Sequence, residues 1–442
     1  MLKSVNSNNN LSCDDLQNSL YLAPSAVRAC CKRFFVNGVR KGDVELFPIH
    51  KLDQLSVENI YQSKVQLIED INANAESVCS GCPYLKRANW GKPSPTPTHL
   101  SLEYHSVCNL KCTYCSDAYY GGEKPKYNVY ELLEDFLQNG ELEFLKSISW
   151  GGGEPFLDPE TYKIFNTLEN ILRLNSNVNI RIFSNAIRFE ERCKKMLELG
   201  NTFLTTSIDA GTRSTYKKIR GKDKILVVFE NLVRYTEKKP EQVTIKYIIT
   251  DINSKLEEVD SFVNLIKTHQ LIEANFQISI DFNIESISIE NFEAAISLFN
   301  GLHEINARRV FVDDLVWLRL RNFYTVNKDV LQSQLQKLQE RGLVARNPEK
   351  EDVIIWGAGG IGINILEDSF FAAENNIVAF VDKNFENIDN KFLRGLPVYP
   401  PQHLLTENCK VVIAAAQSYP AILSEFDILG LDKSRLVQGL VL

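Results

Sequence analysis

Cys108-Asn109-Leu110-Lys111-Cys112-Thr113-Tyr114-Cys115 places three thiols at spacings of four and three residues in a short polar stretch. Three thiolates so placed suit three irons of a cubane [4Fe–4S] centre, and the fourth iron then has no protein ligand and stays open to a small molecule. Zinc is the alternative occupant, although a structural zinc site normally takes four ligands in paired spacings such as C-x2-C. Unrelated buried cysteines are the third reading. What surrounds the loop decides among them.

Working outward, strands and helices alternate. Strands are expected over Leu100–His105, Ser147–Trp150, Val178–Phe183, Phe203–Ile208, Val243–Ile249 and Phe276–Phe282. Helices are expected over Val129–Gln138, Glu160–Leu174, Glu190–Leu199, Ile225–Lys238, Leu256–Lys267 and Ile289–Ala307. Regular βα alternation with apolar, β-branched strands predicts a parallel sheet covered by helices. Sites in such folds lie at the C-terminal ends of strands, and the polar motifs fall there. The cysteine loop follows strand one, and Trp150-Gly151-Gly152-Gly153-Glu154-Pro155 follows strand two. Phe183-Ser184-Asn185-Ala186 ends strand three. Thr206-Ser207-Ile208-Asp209-Ala210-Gly211 ends strand four, with Tyr216 and Ile219-Arg220-Gly221 beyond it. Glycines allow close backbone approach, and a carboxylate suits a bound ammonium; a plain turn is the alternative for the glycine run. Asp209 reads equally as a helix N-terminal residue, and Tyr114 either as a stacking platform for a purine or as ordinary loop packing.

The C-x3-C-x2-C spacing, with an aromatic before the last cysteine and these motifs following in order, resembles the radical SAM superfamily. The resemblance covers residues 99–325 and implies a partial (β/α)6 radical SAM barrel. It implies a [4Fe–4S] cluster on Cys108, Cys112 and Cys115 whose open iron chelates S-adenosylmethionine, and reductive cleavage to a 5′-deoxyadenosyl radical. It further implies that Tyr114 lies against the adenine and that Gly152, Gly153 and Glu154 receive the methionine amino group. Ser184 and Asn185 would touch the nucleoside, Ser207 a ribose or carboxylate oxygen, and Arg220 the methionine carboxylate. Ala186 departs from the Thr-Asn-Gly turn of related branches. A low-potential flavodoxin- or ferredoxin-type reductant is the implied partner.

Residues 1–98 open on a polar tail. Asn37-Gly38 inside a β-prone run signals a hairpin, a helix is expected from Val57 to about Asn72, and Cys79-Ser80-Gly81-Cys82 reads as a metal-binding turn. Cys30 and Cys31 could complete four ligands with Cys79 and Cys82. This order looks like a shortened SPASM-type segment, which implies an auxiliary [4Fe–4S] cluster; zinc and free thiols are the alternatives. SPASM segments usually follow the barrel and carry more cysteines. Cys13, Cys193 and Cys409 stand alone and receive no role. Pro93-Ser-Pro-Thr-Pro97 is a stiff spacer that ends this segment.

After a polar helical linker over 326–350, with its helix expected over Asp329–Leu343, residues 351–442 begin with Val353-Ile-Ile-Trp356-Gly357-Ala358-Gly359-Gly360-Ile361-Gly362. A strand, a G-x-G-x-x-G turn, a helix and an acid ending strand two, Asp382, make a nucleotide-fold signal. Gly357, Gly359 and Gly362 would bring a pyrophosphate to a helix N-terminus, and Asp382 would take ribose hydroxyls. With a third strand at Lys410–Ala415, the segment is little more than one half of a dinucleotide fold. It resembles the N-terminal domain of sugar-nucleotide acyltransferases, which implies a Rossmann-like α/β domain near a UDP-sugar. A nicotinamide ligand and a docking role are the alternatives.

The net charge of −7 gives no support for a nucleic-acid surface. The basic run Lys217–Lys224 reads as a solvated helix face or an anion site. No signal-type core or membrane span is expected, and seven of the ten cysteines fall in two clusters, which suits metal in a cytoplasmic chain. The fold class is therefore α/β, with the small N-terminal cysteine-rich metal-binding module before the barrel and the Rossmann-like domain after it. The expected function is radical abstraction of hydrogen from a sugar-nucleotide, glycan-type or peptide substrate. A non-catalytic iron–sulfur or zinc regulator and a nicotinamide-dependent oxidoreductase are the alternatives. No catalytic hydrogen or proton donor is assigned, and the oligomeric state is open.

Overall fold

The computed structural model describes residues 10–49, 55–73, 76–94, 96–115, 122, 124–284, 286–307, 309–313, 344–415, 418–437 and 440–441, with isolated positions between 316 and 340. The chain forms two compact units, Met1–Thr206 and Ser207–Leu442. The helix expected over 329–343 lies, apart from three isolated positions, outside the described residues.

The first unit begins with β1 (Asn10–Ser12), α1 (Asp14–Asn18), β2 (Ser19–Leu22), β3 (Ala26–Arg28), β4 (Arg33–Val36), β5 (Val39–Gly42), β6 (Glu45–Pro48), α2 (Val57–Ala73) and β7 (Lys86–Ala88). It continues with β8 (His99–Leu102), α3 (Val129–Gln138), β9 (Ser147–Trp150), α4 (Thr161–Leu174), β10 (Asn179–Phe183), α5 (Glu191–Leu199) and β11 (Thr202–Ser207). Its main sheet runs β11-β10-β9-β8-β2-β3-β6. The pairs from β11 to β2 are parallel, whereas β3 and β6 run antiparallel. Each barrel strand buries alternate residues, such as Ile148 and Trp150 or Ile180 and Ile182, while Ser149, Arg181 and Thr205 on the other face are half-buried. Period-2 alternation puts apolar residues under the helices and polar ones on the opposite face.

The spacer before residue 98 does not separate two sheets. Ser19–Leu22 of β2 pairs in register with His99–Leu102 of β8, and Ser94 N and Thr98 N donate to the carbonyls of Gln17 and Asn18. The expected hairpin is β4–β5, with Asn37 and Gly38 both at positive φ, as a type I′ turn requires.

The second unit holds α6 (Arg213–Arg220), α7 (Ile225–Thr236), β12 (Val243–Ile249), α8 (Leu256–Thr268), β13 (Asn275–Ile280), α9 (Ile289–Glu304) and β14 (Arg309–Val312). β12, β13 and β14 are parallel neighbours; β14 is a strand beyond the six expected. Further along lie β15 (Val353–Trp356), α10 (Gly360–Asp368), α11 (Phe370–Glu374), β16 (Ile377–Val381), β17 (Phe392–Leu393), β18 (Leu396–Tyr399), β19 (Lys410–Ile413) and α12 (Tyr419–Ile428). They build a separate sheet in the order β17-β18-β16-β15-β19, parallel except for β17. Val353, Ile355, Phe380 and Val412 pack on one face and Ile354, Trp356, Ala379 and Val411 on the other. Burial on both faces is what a parallel sheet needs. β18 is also beyond the strands expected, because Pro397 interrupts its pattern. Among the described residues no helix is long and apolar enough to cross a membrane.

Candidate functional site

The loop after β8 and the loop after β9 close on each other. Gly153 N and Glu154 N donate to the carbonyls of His105 and Val107, at 2.8 and 2.9 Å. A Cβ at Gly153 would come within 2.5 Å of Ser106 C and Val107 O, and Gly152, at φ 99°, would meet His105 O at 2.9 Å. Only glycine permits this approach. The glycine run therefore fixes the chain leading into Cys108.

Glu154 is fully buried. Its carboxylate accepts from Phe156 N at 3.2 Å, Ser184 Oγ at 2.8 Å and Asn185 N at 2.7 Å. Within the chain it binds the turn after β10, which is how a buried carboxylate is satisfied. Asn185 carries the connection onward. Its Nδ2 lies 2.6 Å from Asn109 Oδ1 and 3.8 Å from Cys108 Sγ, and Leu110 N donates to the same sulfur at 3.4 Å. Ala186 holds φ 55° and is fully buried, so the turn keeps the left-handed conformation that glycine would favour.

Cys108, Cys112, Cys115 and Tyr114 are half-buried. Among the described residues, no three Cys, His, Asp or Glu side chains stand together as a ready metal site. The donor chemistry of the loop nevertheless fits an iron–sulfur ligand set. Its sulfurs are accessible, and Cys108 already takes an amide and a carboxamide N–H, the contacts that stabilise a thiolate.

Tyr104 and Tyr130 both donate to Asp158 Oδ2, at 2.7 and 2.5 Å. Burial first, and then the Asp158 charge, hold the Tyr104 hydroxyl well above the ordinary tyrosine range. This buttress under the chain leading to the cysteine loop has no sequence motif.

In the second unit, Ser207 is half-buried at the end of β11. Asp209, fully buried, pairs with Arg220 Nη1 at 2.9 Å and accepts from Ile248 N at 2.7 Å. The helix cap is Thr212, which accepts from Thr215 N; Asp209 is thus an ion-pair partner, not the cap. Lys217, Lys218, Lys222 and Lys224 are exposed and Arg220 turns inward, so the basic run is mainly a solvated face. Glu258 accepts from Gly211 N, Thr212 N, Thr212 Oγ1 and Thr215 Oγ1. Burial raises its pKa, but these hydrogen bonds outweigh burial and leave it below the ordinary value.

In the five-stranded sheet, the glycines divide by role. A Cβ at Gly357 would lie 2.5 Å from Ala414 O, and one at Gly362 would lie 2.0 Å from Gly357 O, whereas Gly359 and Gly360 face open space. Asp382 Oδ2 accepts from Ala358 N at 2.9 Å, bracing the turn. A cavity of about 450 Å³ in this unit is lined by Arg309, Phe311, Tyr419 and Lys433 among others, and none of the expected site residues lines it.

Near the N-terminus, Cys13, Cys30 and Cys79 pack on one small core of Leu16, Ala29, Val44 and Ile71. Cys82 closes the turn with its N–H to Cys79 O at 3.0 Å. Cys31 lies outside this core, with Glu103, Asp15, Lys32 and Cys30 as its charged or ionisable neighbours. Cys13, seventeen residues before the next cysteine, carried no sequence signal; long-range pairing brings it to this core.

A model of the radical SAM superfamily matches residues 102–266. The GTP 3′,8-cyclase of Clostridium botulinum (strain Hall) is 26% identical over 176 residues, covering 39% of this chain and 54% of that protein. The GTP 3′,8-cyclase of Vibrio atlanticus is 27% identical over 177 residues, covering 38% and 50%. The chain thus spans about half the length of these curated relatives. Among solved structures, anSMEcpe with bound AdoMet and Cp18Cys peptide is similar at 20% identity and TM-score 0.38, covering 48% of this chain and 62% of that one. Streptococcus suis SuiB bound to S-adenosylmethionine is similar at 12% identity and TM-score 0.39, covering 60% and 56%. The matched segment begins at the end of β8 and contains the cysteine loop, the glycine loop and the ends of β10 and β11. Residues 102–266 thus match the radical SAM superfamily, whose enzymes use a [4Fe–4S] cluster and S-adenosylmethionine.

Proposed function

We propose that the chain is a radical SAM enzyme acting on a substrate of sugar-nucleotide or glycan type. The bound cluster and S-adenosylmethionine would supply a 5′-deoxyadenosyl radical, whose chemistry belongs to the cofactor while the protein provides binding, orientation and exclusion of side reactions. Cys108, Cys112 and Cys115 would hold the cluster. Asn185 orients the loop through Asn109 and Cys108, and this contact carries the reading: a strand end reaches back to the cysteine that the cluster requires.

Tyr114, Gly152, Gly153, Glu154, Ser184, Asn185 and Ser207 are the proposed S-adenosylmethionine contacts, together with Arg220. The guanidinium of Arg220 is anchored by Asp209. Glu154, committed to Ser184, Asn185 and Phe156, acts chiefly by shaping the turn.

The open space at Gly359 and Gly360 supports a nucleotide-bearing substrate, because it leaves backbone N–H groups at the start of α10 approachable by phosphate. The domain over 351–442 is in this reading a Rossmann-like, nucleotide-binding-type domain, with Asp382 as turn brace and ribose acceptor. The relatives named GTP 3′,8-cyclase are also consistent with a nucleotide. An electron donor of flavodoxin or ferredoxin type completes the proposal.

The test is anaerobic incubation of the cluster-loaded protein with dithionite and S-adenosylmethionine, alone and with UDP-sugars or synthetic peptides. Release of 5′-deoxyadenosine accelerated by UDP-sugars supports the reading. Acceleration by peptides alone overturns the substrate class.

A further inference from the structure

We propose that Cys13, Cys30, Cys79 and Cys82 form a four-thiolate metal centre, distinct from the cysteine loop, and that Cys31 is not one of its ligands. The occupant is a thiophilic centre, either one zinc ion or one iron–sulfur cluster, since both take four cysteine thiolates.

Three features of the backbone bring these cysteines together. β1 pairs antiparallel with β7, Ser12 opposite Lys86, which sets Cys13 beside the segment leaving Cys82. Asn72 at the end of α2 clamps β1 by donating to Leu11 O at 3.0 Å and accepting from Leu11 N at 2.8 Å. Ala29 N donates to Val44 O at 2.8 Å, holding Cys30 against the same core. The Cys79–Cys82 turn closes with Gly81 at φ 82°, where a Cβ would meet Val36 Cγ2 at 2.6 Å. A C-x2-C turn with glycine between its cysteines is the common metal knuckle.

Backbone amides lie beside three of the sulfurs, Leu16 at Cys13, Val44 and Lys32 at Cys30, and Tyr84 and Leu85 at Cys82, where they can offset negative charge on a metal-bound thiolate. Cys31 lies outside the small core that gathers Cys13, Cys30 and Cys79 and has the carboxylate of Glu103 beside it. The backbone sets Cys13, Cys30 and Cys79 around one core and Cys82 one turn away, and rotation between staggered χ1 wells would close the ligand set.

The experiment uses full-length protein carrying Cys108→Ala, Cys112→Ala and Cys115→Ala, so that the result does not depend on the radical reading. Zinc, iron and acid-labile sulfide are measured after anaerobic purification from metal-replete cells. About one zinc, or several irons with matching sulfide, should remain per chain. Adding Cys13→Ala should lower that content at least five-fold, and adding Cys31→Ala should leave it unchanged. Metal retained without Cys13, metal lost without Cys31, or no metal in the parent overturns the proposal. Should Cys13→Ala fail to fold, alkylation of the parent decides. Iodoacetamide should label Cys31 and spare the other four-cysteine set; labelling of Cys13 with sparing of Cys31 contradicts it.

Discussion

Asn185 Nδ2 stands 3.8 Å from Cys108 Sγ and 2.6 Å from Asn109 Oδ1, so the end of the third barrel strand holds the first cysteine of the loop. A partner of this kind orients a ligand without being one. Asn185→Ala should reduce iron retention or 5′-deoxyadenosine release by about ten-fold or more, the usual effect of losing an outer partner of a metal ligand. Asn185→Asp, which places a carboxylate beside the thiolate, should in addition lower the cluster's reduction potential. A potentiometric titration that finds both variants unchanged contradicts the assignment.

Ala186 keeps the left-handed turn at φ 55°. Ala186→Gly relieves a conformation that costs an L-residue roughly 1–2 kcal/mol, against the ~0.5–1 kcal/mol that glycine loses through its greater unfolded freedom. Urea unfolding should show stability raised by up to about 1 kcal/mol. A loss beyond that size would mean the methyl group packs productively.

Arg220 and Asp209 form a buried ion pair, with side chains 6% and 0% exposed. Arg220→Met strands the Asp209 carboxylate and should cost about 3–5 kcal/mol. Adding Asp209→Asn should recover part of that loss. Equal stability of the single and double variants would show that the pair is not coupled.

Glu258 has its pKa held below the ordinary 4.5 by four donors, against the opposing effect of burial. Its stabilisation is therefore present above the unfolded-state value and is lost as pH falls through the lower folded-state value. Wild type and Glu258→Gln should differ most near neutral pH and converge in acid, by denaturant midpoints across that range. A gap that widens in acid contradicts the sign.

The barrel strands were readable because their apolar alternation is local: Ser147–Trp150 and Val243–Ile249 appear within the residues expected of them. The helix Val129–Gln138 likewise matches, started by Asn128 accepting from Tyr130 N and Glu131 N. Residues 19–22 were not readable as sheet neighbours of β8, since parallel pairing over some eighty residues leaves no local trace. β18 was hidden by Pro397. At the site, the motif positions were visible but their partners were not: Glu154 reads as a ligand-facing acid, yet it binds Ser184 and Asn185. Arg220 was picked out in the sequence, but its buried partner Asp209 was not, and Cys13 was hidden by standing alone.

The central claim is that Cys108, Cys112 and Cys115 support reductive cleavage of S-adenosylmethionine. Its most direct test is chromatographic measurement of 5′-deoxyadenosine from anaerobically loaded wild type with dithionite, beside the triple alanine variant of these cysteines. The account predicts product from wild type and none above background from the variant. No product from wild type with a full cluster, or equal product from both, would contradict it.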